Sequence, residues 1–410
     1  MANFNKAEWT KINGLEPLES FGLPERRSKS VVIGTFNIRK LGPVGNRSPQ
    51  SWAFLAQICK RFDLIALQEV MDSLEGLRHL HKSLGDDYGM VVSDVTGGVF
   101  NPQDVIRGKR GNNERLAFIF NWKRIRRTEL ASDISYDRTD IVSNLFQNRV
   151  QYSETWEKHH HNVGKWEERC DQAKAGGKRK PKKPPIELPA FLTFIRQPHC
   201  ASFEVVPRAA AAPFRFLGVN AHLLYGTNRD ERRWEFDALL DWLTIRAKNA
   251  EKMYYPNIVL LGDCNLEFEA FGWKREEINA RLKKLNTAVL KGKQAAKVNF
   301  PLLTPHPVHG ELRTSARMKQ TYDQIGIFAH DDHWPLSDAN DTAGQVDPDS
   351  FDYGVFKFTD LFAQGLYGKS FTGLTKSQSK KIIKHCEFDV SDHLPAWFRL
   401  PIPGAIESNK

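Results

Sequence analysis

The chain has 410 residues, 40% hydrophobic and 26% charged, a balance that suits a globular protein with either one large domain or two to three smaller ones. Fifty-nine Lys and Arg against 49 Asp and Glu leave a formal charge of +10, which favours an anionic partner: nucleic acid, an anionic membrane surface or a phosphate-rich substrate. No window of 18 apolar residues is present, so no membrane span is expected, and the N-terminus lacks a basic-then-apolar signal, so an intracellular, cytoplasmic location is expected. The five cysteines include no CxxC pair and no zinc-like spacing; Cys59 and Cys264 sit in apolar runs and read as core thiols.

Residues 1–30 are polar and read as a loose lead-in. From residue 31 the pattern becomes strand, helix, strand: VVIGTFNI is a buried strand, 51–62 carries apolar residues at helical spacing, and LIALQEV is a second buried strand. A helix is expected over about 73–84, then the strand YGMVVSDV, a Gly/Asn-rich loop over 97–114 and the strand RLAFIFN. Residues 125 to about 190 break the rhythm and read as a basic insertion in a single domain spanning 31–400, with 401–410 as a tail. The insertion holds His159-His160-His161, expected in a polar loop, the helix-like GKWEERCDQAKAG, and the run Lys178-Arg179-Lys180-Pro181-Lys182-Lys183, a candidate phosphate contact. Strands resume at HCASFEVV and FRFLGVNAHLL, followed by a helix over 229–249, the buried strand NIVLLGDCN, a basic amphipathic helix over 275–298, and the closing strands TYDQIGIFA and HLPAWFRL. Alternating strands, helices and hairpins predict an α/β fold of two mixed β-sheets packed together with helices outside.

Five polar segments border these apolar runs: Asn37-Ile38-Arg39, Gln68-Glu69, Asn220-Ala221-His222, Gly262-Asp263-Cys264-Asn265 and Ser391-Asp392-His393. Carboxylates, carboxamides and imidazoles delivered from several strand ends to one place suit metal-assisted hydrolysis. Glu69 and Asp392, with Asn37, are hard oxygen donors of the kind Mg²⁺ prefers, with Mn²⁺ or Ca²⁺ as alternatives. Asp263 and Asn265, two apart at a strand end, are expected on one side, the carboxylate for water or metal and the amide for phosphate oxygens. His222 and His393 form the natural acid–base pair, with Glu114 and Asp323 as orienting carboxylates. Arg39 and Arg196 are candidate phosphate contacts.

The segments FNIRKLG, FDLIALQEVMD, NERLAFIF, IRQPHCASF, VNAHLL, LLGDCNLE, TYDQIGIF, PDSFDYGVF and SDHLPAWF run in the order found in the endonuclease/exonuclease/phosphatase superfamily. Within it they most resemble the deoxyribonuclease I branch. The resemblance implies a four-layered α/β sandwich with the site at one edge. It implies His222 acting with Glu114 and His393 with Asp323, metal held by Glu69, Asn37, Asp263 and Asp392, Asn265 orienting the scissile phosphate, and Arg39 and Arg196 facing the DNA backbone. Two positions depart from that branch: Met71 stands where an arginine reaches the minor groove, and Asn112 replaces an aromatic. The loop around Arg107, Lys109 and Arg110, or the insertion, is expected to substitute. The function expected is a metal-dependent endonuclease hydrolysing DNA, or RNA, with low sequence specificity. The alternatives are a phosphoesterase of lipid or inositol phosphates and an inactive nucleic-acid-binding module.

Overall fold

The computed structural model describes residues 3–15, 17–96, 113–184, 188–207, 213–226, 228–249, 255, 257–266, 280, 297–330, 334–335, 337–345 and 347–402. The chain divides into two compact units. Met1–Ile134, Arg196–His222 and Asp241–Lys410 form the first; Ser135–Ile195 and Leu223–Leu240 form the second.

Among the described residues the strands lie in the first unit. They are β1 (Ser30–Leu41), β2 (Leu64–Met71), β3 (Tyr88–Val92), β4 (Glu114–Asn121), β5 (Ile125–Asp133), β6 (His199–Val205), β7 (Phe214–His222), β8 (Ile258–Asp263), β9 (Lys297–Asn299), β10 (Asp323–Ala329), β11 (Asp352–Val355) and β12 (Ala396–Pro401). The α-helices among the described residues are α1 (Lys6–Asn13), α2 (Pro49–Cys59), α3 (Glu75–Leu84), α4 (Arg138–Gln147), α5 (Arg149–Ala175), α6 (Arg229–Lys248), α7 (Phe358–Tyr367) and α8 (Lys376–Asp389).

Two six-stranded sheets result, ordered β11-β12-β1-β2-β4-β3 and β5-β6-β7-β8-β10-β9. Both are mixed, as expected: β1–β2 and β7–β8 pair parallel and the other neighbours antiparallel. The parallel pairs are each joined by a helical crossover, α2 in one and α6 in the other. The sheets therefore match strand for strand, with β1, β2 and β4 of the first standing where β7, β8 and β10 stand in the second. Central strands such as β1 and β8 are buried along nearly their whole length, which explains their unbroken apolar runs. At Gly262 an added Cβ would lie 2.0 Å from the Ala221 carbonyl oxygen, so β8 approaches β7 as only glycine allows.

A polar brace crosses between the sheets. Asn220 of β7 donates to the carbonyls of Leu67 (3.1 Å) and Ala117 (2.9 Å) in β2 and β4, and accepts from Gln68 at 2.7 Å. All of these groups are buried, so the bonds satisfy donors and acceptors that water cannot reach. Helices α2, α3, α7 and α8 bury apolar faces beside the first sheet, and Ser48 and Thr375 cap α2 and α8.

Several expectations meet a different outcome. The polar lead-in contains α1, closed by an Asn5–Glu8 capping box, and buries Phe4, Trp9, Ile12 and Leu18 in the core. Four apolar anchors among polar residues do the work that composition hides. Residues 125–133 form β5, an edge strand whose alternating, mostly exposed side chains leave no apolar run to read. His159-His160-His161 lies within the 27-residue helix α5, not in a loop. Successive helical side chains diverge by about 100°, so three consecutive imidazoles cannot converge on one ion. The second unit contains α4, α5 and the basic run. The loop residues 97–112, with Arg107, Lys109, Arg110 and Asn112, lie outside the described residues, as do most of the 275–298 segment and 403–410. Among the described residues no helix is long and apolar enough to cross a membrane.

Candidate active site

The expected residues gather where the strands of both sheets end. Asn37 lies in β1, Glu69 in β2, and Glu114 opens β4; His222 and Asp263 close β7 and β8, and Asp323 opens β10. The β8–β10 register sets Asp323 directly opposite Asp263. Strand for strand, Asn37 corresponds to His222, Glu69 to Asp263, and Glu114 to Asp323. His393 and Arg196 each precede a strand, β12 and β6, by three residues.

Asp263 is the hub. Its Oδ2 lies 3.6 Å from His222 Nε2, 3.5 Å from His393 Nε2 and 3.0 Å from Asn37 Nδ2. Each imidazole is held from behind by a second carboxylate. His222 Nδ1 is 3.0 Å from Glu114 Oε2, and His393 Nδ1 is 2.8 Å from Asp323 Oδ2. Both ring nitrogens facing Asp263 are thus aimed at one place, and the hydrogen bond to Asp323 fixes the orientation of the His393 ring.

The electrostatics follow from burial and pairing. Burial pushes the Asp263 carboxyl up, but His393 and His222 outweigh it and the group lies below its ordinary value. Burial likewise pushes Glu114 up, and its bond to His222 with the Arg196 charge brings it net below. Burial opposes a charge on His393, yet Asp323 and Asp263 raise it well above an ordinary histidine. Asp323 is pushed up by burial, a push that the neighbouring His393 offsets only in part, so its carboxyl lies above its ordinary value.

Glu69 reaches the site through a bulge. Between Leu67 and Val70, β2 carries one residue more than its partner stretch from Ala117 to Arg115, and Glu69 adopts a left-handed φ of 56°. Strict alternation would send Gln68 and Glu69 to opposite faces. Instead Gln68 meets Asn220 across the sheets, while Glu69 Oε1 lies 3.3 Å from Asn37 Nδ2 and its Oε2 accepts from the Lys40 amide at 3.0 Å.

Asn265 differs from expectation. Strand β8 stops at Asp263, so alternation does not carry over; Asn265 lies beyond it at φ 50°, and its backbone N–H donates to Asp263 Oδ1 at 2.9 Å. Arg196 is buried and its Nε lies 2.6 Å from Glu114 Oε2, a position that fixes that carboxylate. Arg39 is partly exposed, 3.8 Å from Asp392 and 3.9 Å from Glu387. Ser391 ties the last segment down: its hydroxyl donates to the Asn37 carbonyl (2.6 Å) and accepts from the Arg39 amide (3.1 Å). Ser391, Gln68 and Asn220 belong to the strand-end segments, but sequence reasoning gave them no role. The signal was present, since a buried carboxamide in an apolar strand needs a partner.

The donor set fits a hard divalent cation. Asn37 Oδ1 and Asp392 Oδ1 are buried without a hydrogen-bond partner, and Asn37 Nδ2 donates to the Glu69 and Asp263 carboxylates, whose negative charges a bound cation would offset. A second grouping, Asp263, Asp323 and His393, offers ligand atoms within 4.8 Å of one another. There the Nδ1 of His393 and Asp323 are already engaged with each other, so the oxygen-rich group around Asn37 suits Mg²⁺ better.

No family model and no curated protein matches the chain. Among solved structures it is similar to an endonuclease/exonuclease/phosphatase family protein from Bacteroides thetaiotaomicron, at 12% identity and TM-score 0.45, covering 91% of this chain and 98% of that one. It is similar to the mannosyl-6-phosphatase of the same organism, at 11% identity and TM-score 0.44 over 90% and 98% of the two chains. It is also similar to the human Nocturnin catalytic domain with bound sulfate, at 12% identity and TM-score 0.45 over 92% and 96%. At such identities and scores the chemistry of this chain rests on its own strand-end residues. The likeness to the superfamily, and within it to the deoxyribonuclease I branch, rests on the motifs alone.

Proposed function

We propose that the chain is a divalent-metal-dependent phosphodiesterase that hydrolyses the backbone of DNA with little sequence specificity. One observation carries the proposal: two buried imidazoles, each backed by a carboxylate at Nδ1, point Nε2 at the same carboxylate oxygen from 3.5 and 3.6 Å. That arrangement supports in-line displacement at a phosphodiester, which needs a base on one side of the phosphorus and an acid on the other. His222, oriented by Glu114, takes a proton from the attacking water at Nε2. His393, whose proton is retained by Asp323 and Asp263, gives its Nε2 proton to the leaving oxygen as the phosphorus–oxygen bond breaks. One P–O bond forms, one breaks, and one proton moves on each side. Asn265 donates its amide to a non-bridging phosphate oxygen. Asn37, Glu69, Asp263 and Asp392 would hold the cation, which when bound supplies neutralisation of phosphate charge. Arg39 supports binding of the neighbouring backbone.

The test is incubation of supercoiled plasmid with Mg²⁺ or with EDTA, beside His222→Ala and a phosphoinositide release assay. Nicking that requires metal and falls by a factor of about 10² to 10⁴ in the variant is expected. Phosphate release without nicking would overturn the nucleic-acid reading.

A further inference from the structure

The second unit carries a feature that the hydrolytic site does not use. Helix α5 ends at Gly176, and Gly177 takes a left-handed φ of 60°, with the Lys178 amide donating to the Ala173 carbonyl at 2.7 Å. The chain turns back along the helix there. Trp166 then pins the returning strap: its indole N–H donates to the Pro181 carbonyl at 2.9 Å, and Lys180 and Lys183 place their ammonium groups 4.7 and 5.9 Å from its ring. Pro181 and Pro184 restrict φ along the strap and carry no N–H that would need a partner.

The strap holds five cations between residues 178 and 183 and no carboxylate. All five are exposed, and none has an ion pair among the described residues. A free basic run is ordinarily a solvated tail whose ordering costs entropy on binding. This one is already held against a helix, so that cost is largely met before a ligand arrives.

We infer that the strap 178–183, pinned by Trp166, is a phosphate-backbone binding element for nucleic acid, engaging phosphates through Lys178, Arg179 and Lys182, which do not contact the Trp166 ring. The inference rests on the nucleic-acid reading above. A row of phosphates is the complement of closely spaced, unpaired cations, and binding through them requires no base contact. This matches a substrate read without sequence specificity.

The experiment measures affinity of the full chain for a fluorescent duplex oligonucleotide in EDTA, across salt concentrations, for wild type, the triple variant K178S/R179S/K182S, the charge-conserving K178R/K182R and W166A. Each phosphate contact contributes about 0.9 to the slope of log affinity against log salt. The triple variant is expected to lose about 2 to 3 from that slope and to bind about tenfold or more weakly at low salt. K178R/K182R should keep the wild-type slope, and W166A, with all five cations present, should bind several-fold more weakly. An unchanged slope in the triple variant, with helical circular dichroism intact and plasmid nicking by wild type, overturns the strap alone. No nucleic-acid binding or nicking by wild type overturns the reading beneath it. Phosphatidylserine vesicles that bind the wild type but not the triple variant, with oligonucleotide affinity unchanged, assign the strap to a membrane and overturn the inference.

Discussion

Replacing Asn220 by Ala should weaken the seam between the sheets and, through it, the site. The side chain makes three buried hydrogen bonds, to the Leu67 and Ala117 carbonyls and from Gln68. At about 1 kcal/mol each the loss is about 3 kcal/mol, and the two carbonyls left without this donor in a dry interior push the figure upward. Gln68 keeps Thr35 as a partner at 3.1 Å, so its amide is not abandoned. Urea titration should show the midpoint falling at unchanged m. Because Gln68 precedes Glu69 and Asn220 lies two residues before His222, kcat for nicking should also fall, by about tenfold or more, as the two strand ends lose their common tie. A cycle with Gln68→Ala should return a coupling of about 1 kcal/mol for the shared bond. A stability loss under about 1 kcal/mol with wild-type kcat would refute the brace.

Gly262→Ala should be severe: the new Cβ meets backbone 2.0 Å away, which no rotamer can relieve, so a loss above about 4 kcal/mol is expected and a thermal midpoint within a few degrees of wild type would contradict it. The raised His393 contributes stability that is fully present below about pH 6.5, its ordinary value, and is lost as pH rises through its higher folded value. The stability gap between wild type and His393→Asn should therefore narrow on the alkaline side; a gap that widens there refutes the assignment. The lowered Asp263 works oppositely, its contribution being present above about pH 3.9 and lost as pH falls through the folded value, read as a shrinking gap to Asp263→Asn in acid. Glu69→Gln should raise the Mg²⁺ concentration for half-maximal nicking by tenfold or more while leaving the fold unchanged, and an unaltered metal requirement would remove Glu69 from the metal group.

Much of this was legible in the chain because the site sits at strand ends, where an apolar run stops on a carboxylate, amide or imidazole. Asp263 closes β8 and Asp323 opens β10, and both positions can be read from where the apolar residues begin and end. The bulge at Glu69 was not legible, since a left-handed residue inside a strand leaves no trace in a Gln-Glu pair. Nor was α1, where Trp9 and Ile12 find their partners far along the chain, among them Phe362 at 5.6 Å from Trp9. The histidine triple misled because three polar residues resemble a loop, while the surrounding sequence has the length and the helix formers to continue through them.

The correspondence between the two sheets has a consequence for how the protein can fail. Glu114 of the first sheet clasps His222 and Arg196 from the second, and Asp323 of the second clasps His393 from the first. Every clasp straddles the seam, so neither half owns a working set of groups. Sliding one sheet over the other by an ångström would release both histidines together instead of dimming one. Activity in this architecture is a gauge of alignment: it should vanish as a single event while each sheet is still intact.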